Sequence, residues 1–491
     1  MYLVLRFYFF VIRKMPFFLC CFLHISAYNC IVSTIKILTT KITNKVWCKY
    51  SLLIVCLTFL FLFSPKPKTA TGTYCGEYIK VSKLGFVLFC DSYQYVFLTT
   101  NPSLLLDSNF VAVRQNRPLY IYAAHVIGLP IKFITSAFIE SSFFKKLGGE
   151  KYLYQESINQ KLESSPFLKM YKIDQAKHHN LVVELLPFYI AFIIMNFLIL
   201  LSSLVLFEKL LTQLSTEKYI IHFLSLFIAS SGIVKAFFFS AHEQMFAFFT
   251  PISIAYVVYL FLNDKLSPIK LLFVSFGMGL LCLAYGSFIL YYPCLGIAFL
   301  VKQKSLKISF KMITTLLPGA ILFVLPTLSW MYICYYFSGH YFNGEIETFR
   351  EIIWIKDTLS KGILDFLAAW ASFSLSYLHT VLITLTPFVV GIYILYKQKN
   401  ELQISSENEL FYYFLQWMFI LFFVFFWMLG YYNFRLTYTS VPILLLLIAL
   451  LLQNLIDNKK IDTIKLQKRL RLLAVIWVVW SVIKYGPFPF Q

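Results

Sequence analysis

Charged residues are scarce in this sequence. Only 13% of its 491 residues are Asp, Glu, Lys or Arg, whereas 59% are hydrophobic. Soluble domains are typically about 25% charged and about 45–50% apolar, so the composition excludes an ordinary soluble protein. The apolar residues also occur in runs of about 15 to 25, the length that a helix needs to cross a bilayer. An integral membrane protein is therefore expected.

Several catalytic and cofactor-binding motifs are absent as well. The sequence has no GxxxxGK[ST] phosphate loop and no HExxH, so ATP-driven transport and zincin chemistry lack support. The GxSxG nucleophile elbow of many hydrolases is also missing. The ten cysteines form no CxxC pair and no Cys/His spacing typical of zinc. Cys75 and Cys90 fall in one predicted external loop, where a disulfide and two unpaired thiols are equally compatible with the sequence.

What the sequence does contain is basic residues between hydrophobic runs. The net charge of +20 comes from lysines and arginines in short connecting segments. This is the positive-inside pattern of membrane proteins, so the charge does not indicate nucleic acid. Apolar runs of this length predict helices, because backbone groups in lipid must be hydrogen-bonded within their own segment. We predict an all-α, polytopic transmembrane helical bundle of about 11 to 13 spans.

The chain divides into two regions. Residues 1–49 form a basic and apolar segment that is compatible with an extra span, and residues 50–485 are predicted to form the transmembrane domain. Its first span is Tyr50–Ser64, which the positive-inside rule directs from the cytoplasm to the exterior. Two large external loops are expected at about residues 66–180 and 338–360.

Three hydrophobic stretches need separate interpretation. Pro118–Phe138 is apolar enough to cross but carries a histidine and a lysine, so we predict a juxtamembrane or partly inserted helix in the first external loop. Leu271–Val301 is too long for one crossing and is predicted to form an out-and-back pair. Gly362–Tyr377 is predicted to be an element separate from the span Leu378–Tyr396.

On this topology, the external side collects the ionisable residues with functional potential. Carboxylates and cations that meet near the lipid headgroups suit a transferase that takes a sugar from a polyprenyl phosphate. A carboxylate would deprotonate the acceptor or help to hold a metal, and the cations would neutralise the departing lipid phosphate. The candidate residues are Asp91, Tyr95, Arg117, Lys235, His242, Glu243 and Arg435.

Each candidate also has an ordinary structural interpretation. Asp91 is compatible with a solvated loop acid or a helix N-cap. Lys235 lies near a predicted span boundary, where a lysine can extend to water, and Arg435 is compatible with an interfacial anchor. His242 and Glu243 could form an interfacial polar pair. Three other acids are interpreted as solvated loop charges: Asp107, Glu345 and Asp357.

The order of the motifs resembles the GT-C superfamily of integral-membrane glycosyltransferases, which includes the protein mannosyltransferases and the lipid A aminoarabinose transferases. The matching runs are CDSYQY at residues 90–95, RPLY at 117–120 and SAHEQ at 240–244. The resemblance implies that Asp91 is the catalytic or metal-associated carboxylate. It likewise implies that Glu243 is a second acid. The sequence differs in having Cys before the first acid where relatives have Gly, and Glu at the second where many have Asp.

The resemblance further implies the ligands. The donor would be a polyprenyl-phosphate-linked sugar, and the resemblance matches Arg435, which precedes a late span, to a substrate-binding arginine. From their placement on the predicted external side, Tyr95, Arg117, Lys235 and His242 are also expected to bind substrate. The acceptor would be a lipid, a glycan or a protein, and a divalent cation at Asp91 and Glu243 is compatible with the chemistry. The expected location is the bacterial plasma membrane rather than the endoplasmic reticulum. Two alternatives are a glycan polymerase or ligase that uses a lipid-diphosphate donor, and a transporter or flippase.

Overall fold

The computed structural model describes most of the chain from residue 45 to residue 484. Its gaps are residues 62, 65–77, 82–83, 88–89, 111, 113, 142–180, 306, 348, 398–405 and 431–433. The predicted extra span within residues 1–49 therefore lies outside the described residues, except for its last five positions. Cys75 and the side chain of Cys90 also lie outside them. So do residues 142–180, the last part of the predicted first external loop.

Helices make up nearly all of the described chain. The first group is α1 (Val46–Phe61), α2 (Cys90–Thr100), α3 (Pro118–Glu140), α4 (Leu181–Gln213), α5 (Lys218–Ala229), α6 (Gly232–Phe237), α7 (Phe246–Leu262), α8 (Pro268–Cys282) and α9 (Tyr291–Gln303). The second group is α10 (Phe310–Ser338), α11 (Gly344–Glu347), α12 (Ile353–Leu359), α13 (Ile363–Lys397), α14 (Ser406–Leu429), α15 (Phe434–Thr437), α16 (Val441–Asp457) and α17 (Thr463–Ile483). The described strands are one short antiparallel hairpin, β1 (Tyr78–Val81) and β2 (Leu84–Val87).

This architecture is an all-α polytopic bundle, as predicted. In the described part of the chain, eight helical segments are long and apolar enough to cross a membrane, which makes the protein a multi-pass integral membrane protein. The prediction of about 11 to 13 crossings is higher, partly because it counted apolar segments that form shorter helices. Helices α1 and α8 are apolar but have only 16 and 15 residues.

Two of the interpreted stretches have clear outcomes. Leu271–Val301 does form two helices, since α8 ends at Cys282 and α9 begins at Tyr291. The prediction of two elements within residues 362–396 is wrong, because α13 runs without interruption from Ile363 to Lys397. No proline or glycine falls between Ile363 and Thr386, and Pro387 is tolerated within the helix.

Helix α3 starts level with the first residue of α7, since Tyr120 contacts Phe246, and it continues away from α7. It runs antiparallel to the first half of α4: Tyr120 contacts Phe192, and the His125 ring stacks on Phe188. The second half of α4 accompanies α7 instead, and Tyr259 near the end of α7 donates to the Gln213 carbonyl. Helix α3 is long and apolar enough to cross a membrane. Its contacts place it alongside the first half of α4.

Helices α7 and α16 form the interior of the bundle, and α10 and α13 lie at its periphery. The peripheral helices expose apolar side chains such as Leu317, Leu328 and Leu382, which suits a surface covered by lipid. In lipid, helices associate through close packing rather than through the hydrophobic effect, and small residues permit that approach. Gly279 of α8 has this role, since a Cβ there would lie 2.1 Å from the carbonyl oxygen of Phe323 in α10.

We therefore expect Gly279→Ala to destabilise the protein by about 1–3 kcal/mol, because the backbone of α10 must move. Gly277→Ala is the matched control in the same helix, since a Cβ there meets nothing within 4 Å. It should be neutral or stabilising by up to about 1 kcal/mol through helix propensity. Thermal unfolding of the two variants in detergent measures the difference. Equal melting temperatures would show that the α8–α10 contact does not depend on this glycine.

Candidate functional site

A group of ionisable side chains gathers where several helices begin or end on the same side of the bundle. Tyr95 comes from α2, the turn before α3 supplies two arginines, and the turn before α7 supplies a histidine and a glutamate. Helix α11 contributes a second glutamate, and α15 contributes a third arginine. We call the following residues the arginine–glutamate cluster: Arg114, Arg117, His242, Glu243, Glu345 and Arg435.

Arg117 is the centre of this cluster. It is the N-cap residue of α3, and Pro118 occupies the first helical position, where its missing N–H costs no hydrogen bond. The guanidinium donates through Nη1 to Glu243 and through Nη2 to Glu345. Nη1 also lies 3.3 Å from the Tyr95 hydroxyl oxygen. One side chain thus joins α2, α3, α7 and α11.

Glu345 is held by both arginines of the turn before α3. Its Oε1 accepts from Arg117 and lies 3.3 Å from Nη1 of Arg114, while Asn116 donates to Oε2. Burial alone would raise the pKa of this carboxyl, but the charges of Arg117 and Arg114 outweigh it and hold the pKa below its usual value. Burial acts to lower the pKa of Arg117, and the negative charge of Glu345 more than compensates. Both groups are therefore ionised.

His242 connects this centre to Arg435. Nη1 of Arg435 lies 2.7 Å from Nε2 of His242. Because a guanidinium has donors and no acceptor, Nε2 must accept, so the imidazole is neutral and carries its proton on Nδ1. That nitrogen lies 3.5 Å from Oε2 of Glu243. A polar chain consequently runs from Tyr95 through Arg117, Glu243 and His242 to Arg435.

The chain leaves polar atoms that the described residues do not satisfy. Oε2 of Glu243 and the hydroxyl of Tyr285 are buried, and neither forms a hydrogen bond of normal geometry with the described part of the protein. The Tyr285 ring also lies 5.9 Å from the Arg117 guanidinium. Glu243 therefore has an oxygen that could accept one more hydrogen bond.

The structure thus brings together five of the residues proposed from sequence: Tyr95, Arg117, His242, Glu243 and Arg435. Asp91 lies in the first turn of α2, one turn before Tyr95, but its side chain is outside the described part of the chain. Between the first span and Tyr95, the described residues include the β-hairpin and the start of α2.

Lys235 has a different set of partners. Its ammonium group donates to the carbonyls of Ser481 and Lys484 at the end of α17, and it lies 5.6 Å from the Phe61 ring. The last carbonyls of a helix lack intrahelical donors, and a lysine commonly satisfies them. Lys235 therefore caps α17 in this structure, and its contacts do not extend to the cluster.

The interpretation of Glu345 as a solvated loop charge is wrong. Its burial between two arginines was not evident, since an acid in a short helix between two spans resembles its exposed neighbour Glu347. The sequence places Arg114 beside Arg117 at the end of the same external segment, and Tyr285 was missed.

The described residues do not fit a metal site. No group of three or more His, Cys, Asp or Glu side chains lies close enough to hold an ion within the ranges that the structure describes. Glu243 and Glu345 instead accept from guanidinium groups, which compete with a cation for the same oxygens. The side chain of Asp91 lies outside the described residues, so a divalent cation at Asp91 and Glu243 stays a prediction.

Comparison with known proteins yields no relative: no family model, no curated protein and no solved structure matches the chain. The functional argument consequently depends on the cluster itself.

Replacing Arg117 with alanine should destabilise the protein strongly. Glu243 and Glu345 would both lose a buried partner, and breaking a buried ion pair from one side costs about 3–5 kcal/mol. Arg350→Ala is the control, because it removes an exposed pair with Asp357, for which about 0–1 kcal/mol is expected. Chemical or thermal unfolding in detergent measures both. A small effect of Arg117→Ala would mean that this residue does not hold the cluster together.

Proposed function

We propose that the protein is a membrane glycosyltransferase. It transfers a sugar from a polyprenyl-phosphate donor to a lipid, glycan or protein acceptor on the non-cytoplasmic face. The observation that carries the proposal is the arginine–glutamate cluster, in which residues from distant parts of an apolar chain converge at the helix ends. Ionisable residues within a membrane protein are costly, and they generally persist for function.

The guanidinium groups support a phosphate-bearing donor. An arginine presents a planar set of N–H donors that matches phosphate oxygens, and it keeps its charge in a poorly solvated site. Arg435 is only partly buried, and it donates to the neutral imidazole of His242. We assign Arg435 to the donor phosphate, where it would stabilise the negative charge that develops as the sugar leaves. Arg117 would hold the carboxylates that surround it.

A carboxylate supplies the other half of the reaction. In an inverting transfer, a base removes the proton of the acceptor hydroxyl as its oxygen attacks the sugar carbon and the bond to the phosphate oxygen breaks. We assign Asp91 as this base, since its helix places it one turn from Tyr95. Glu243 contacts Arg117 and His242, so its role is to orient the guanidinium of one and the neutral imidazole of the other.

The placement of the cluster favours a transferase over a transporter. Transporters commonly bind their substrate near the bilayer midplane, between helices that are broken there. Here, Arg117, Glu243 and Arg435 precede α3, α7 and α16, which are each continuous. The proposed setting is the plasma membrane of a bacterium, where polyprenyl-phosphate sugars would serve assembly of the cell envelope.

Asp91→Asn should reduce sugar transfer by about 10²–10⁴-fold, the usual contribution of general base catalysis. Asp107→Asn is the matched control: Asp107 lies nearby and accepts from the Asn109 amide, an interaction that asparagine can keep. Transfer from a labelled polyprenyl-phosphate hexose is measured in membranes with matched expression. Full activity of Asp91→Asn, or an equal loss in Asp107→Asn, would contradict the assignment of the base.

A further inference from the structure

The chain that joins α6 to α7 is buried inside the protein. Helix α6 ends at Phe237 and α7 begins at Phe246, and the residues between them are buried except for Phe239, which is half-buried. Backbone carbonyls that leave a helix in an apolar interior need donors, because water does not reach them there. The donors for this connection therefore have to come from neighbouring elements.

Two side chains of α4 supply them. The Tyr189 hydroxyl donates to the carbonyl of Phe239. Nδ2 of Asn196 donates to three carbonyl oxygens, those of Phe237 at 3.2 Å, Phe238 at 3.1 Å and Ser240 at 2.8 Å. Every carbonyl of residues 237–240 thus accepts a hydrogen bond from α4. We call these residues the 237–240 turn.

The amide group of Asn196 has one orientation that fits these contacts. Carbonyl oxygens accept and do not donate, so the nitrogen must face the turn, and Oδ1 is left to accept. The Tyr120 hydroxyl lies 3.5 Å from Oδ1. Tyr120 belongs to the first turn of α3, immediately after Arg117 and Pro118 in the run RPLY. Asn196 therefore lies between the segment that carries Arg117 and the turn that precedes Glu243.

The 237–240 turn leads directly into the residues that contact both arginines. Glu243 accepts from Arg117. Its two neighbours contact Arg435 instead: Nε2 of His242 accepts from the guanidinium, and Nε2 of Gln244 donates to the Arg435 carbonyl at 3.1 Å. A displacement of the turn would consequently move all of these contacts together.

Asn196 is an unusual residue for its position. It lies near the middle of a membrane-spanning helix and is fully buried. A polar side chain within such a helix is costly, and it generally serves function or a specific contact between helices. A leucine of similar size would fit the apolar surroundings, but it would leave three carbonyls of the turn without their donor.

We propose that Asn196, together with Tyr189, is a positioning residue of the candidate site. Through the 237–240 turn, it fixes Glu243 against Arg117 and His242 against Arg435. The proposal rests on the proposed function, because the contacts that it positions are those assigned to sugar transfer. The two α4 side chains act through the backbone of the turn and do not touch the substrate.

The test is a double-mutant cycle in sugar transfer by the full-length protein, at amounts of folded protein matched by size-exclusion chromatography. Asn196→Leu should lower kcat/KM for a labelled polyprenyl-phosphate hexose by about 10²-fold, the usual loss from a small misplacement of reacting groups. In the Glu243→Gln background, the same substitution should cost about tenfold or less, because residues that act as a unit are not additive.

Tyr189→Phe is a milder second variant, in case Asn196→Leu does not fold. It removes the bond to Phe239 and should lower kcat/KM by about two- to tenfold, again with a smaller loss in the Glu243→Gln background. Ser203→Ala is the matched control. Ser203 is buried two turns further along the same face of α4, and its hydroxyl bonds to the Ile199 carbonyl of its own helix. This variant should keep the kcat/KM of the wild type.

A purely structural role would predict the same loss in both backgrounds. Equal losses from Asn196→Leu with and without Glu243, or no loss in the wild-type background, would therefore overturn the positioning role and leave the proposed function intact. Equal losses from Tyr189→Phe in the two backgrounds would have the same meaning. Absence of sugar transfer by the wild-type protein would instead overturn the proposed function, and the inference with it.

Discussion

One guanidinium group holds together the helix ends that form the arginine–glutamate cluster. Arg117 donates to Glu243 and to Glu345, which lie 126 and 228 residues further along the chain. These bonds connect the start of α3 to the start of α7 and to the short helix after α10. Burying three ionised groups is unfavourable unless each has a partner, so none of the segments can be placed independently. Tyr95, Arg114 and His242 contact this bridge directly, and Arg435 joins it through His242.

The bridge also explains why the cluster is suited to a charged ligand. Arg117 donates to two carboxylates, and in the proposed function the donor phosphate is therefore assigned to Arg435. His242 couples the two arginines because it accepts from one and faces the carboxylate bound to the other.

The sequence indicates much of this architecture for physical reasons. Apolar runs long enough for a bilayer predict helices, and polar residues at the ends of such runs identify Arg117, Glu243 and Arg435. Hydropathy does not distinguish Glu345 from Glu347, because burial of an acid depends on a partner that is distant in sequence. The partners of Lys235 lie about 250 residues away in α17, so the sequence alone could not separate it from the cluster. The continuity of α13 was missed because short apolar segments do not show whether they join.

The central claim is that the donor phosphate binds at the arginine–glutamate cluster. The most direct measurement is photocrosslinking with a polyprenyl-phosphate sugar that carries a diazirine on the sugar, followed by identification of the labelled peptides. Our account predicts labelling of peptides that contain residues 114–120, 242–246 and 434–440, with competition by unlabelled donor. Labelling confined to the lipid-exposed surfaces of α10 and α13, without competition, would contradict it.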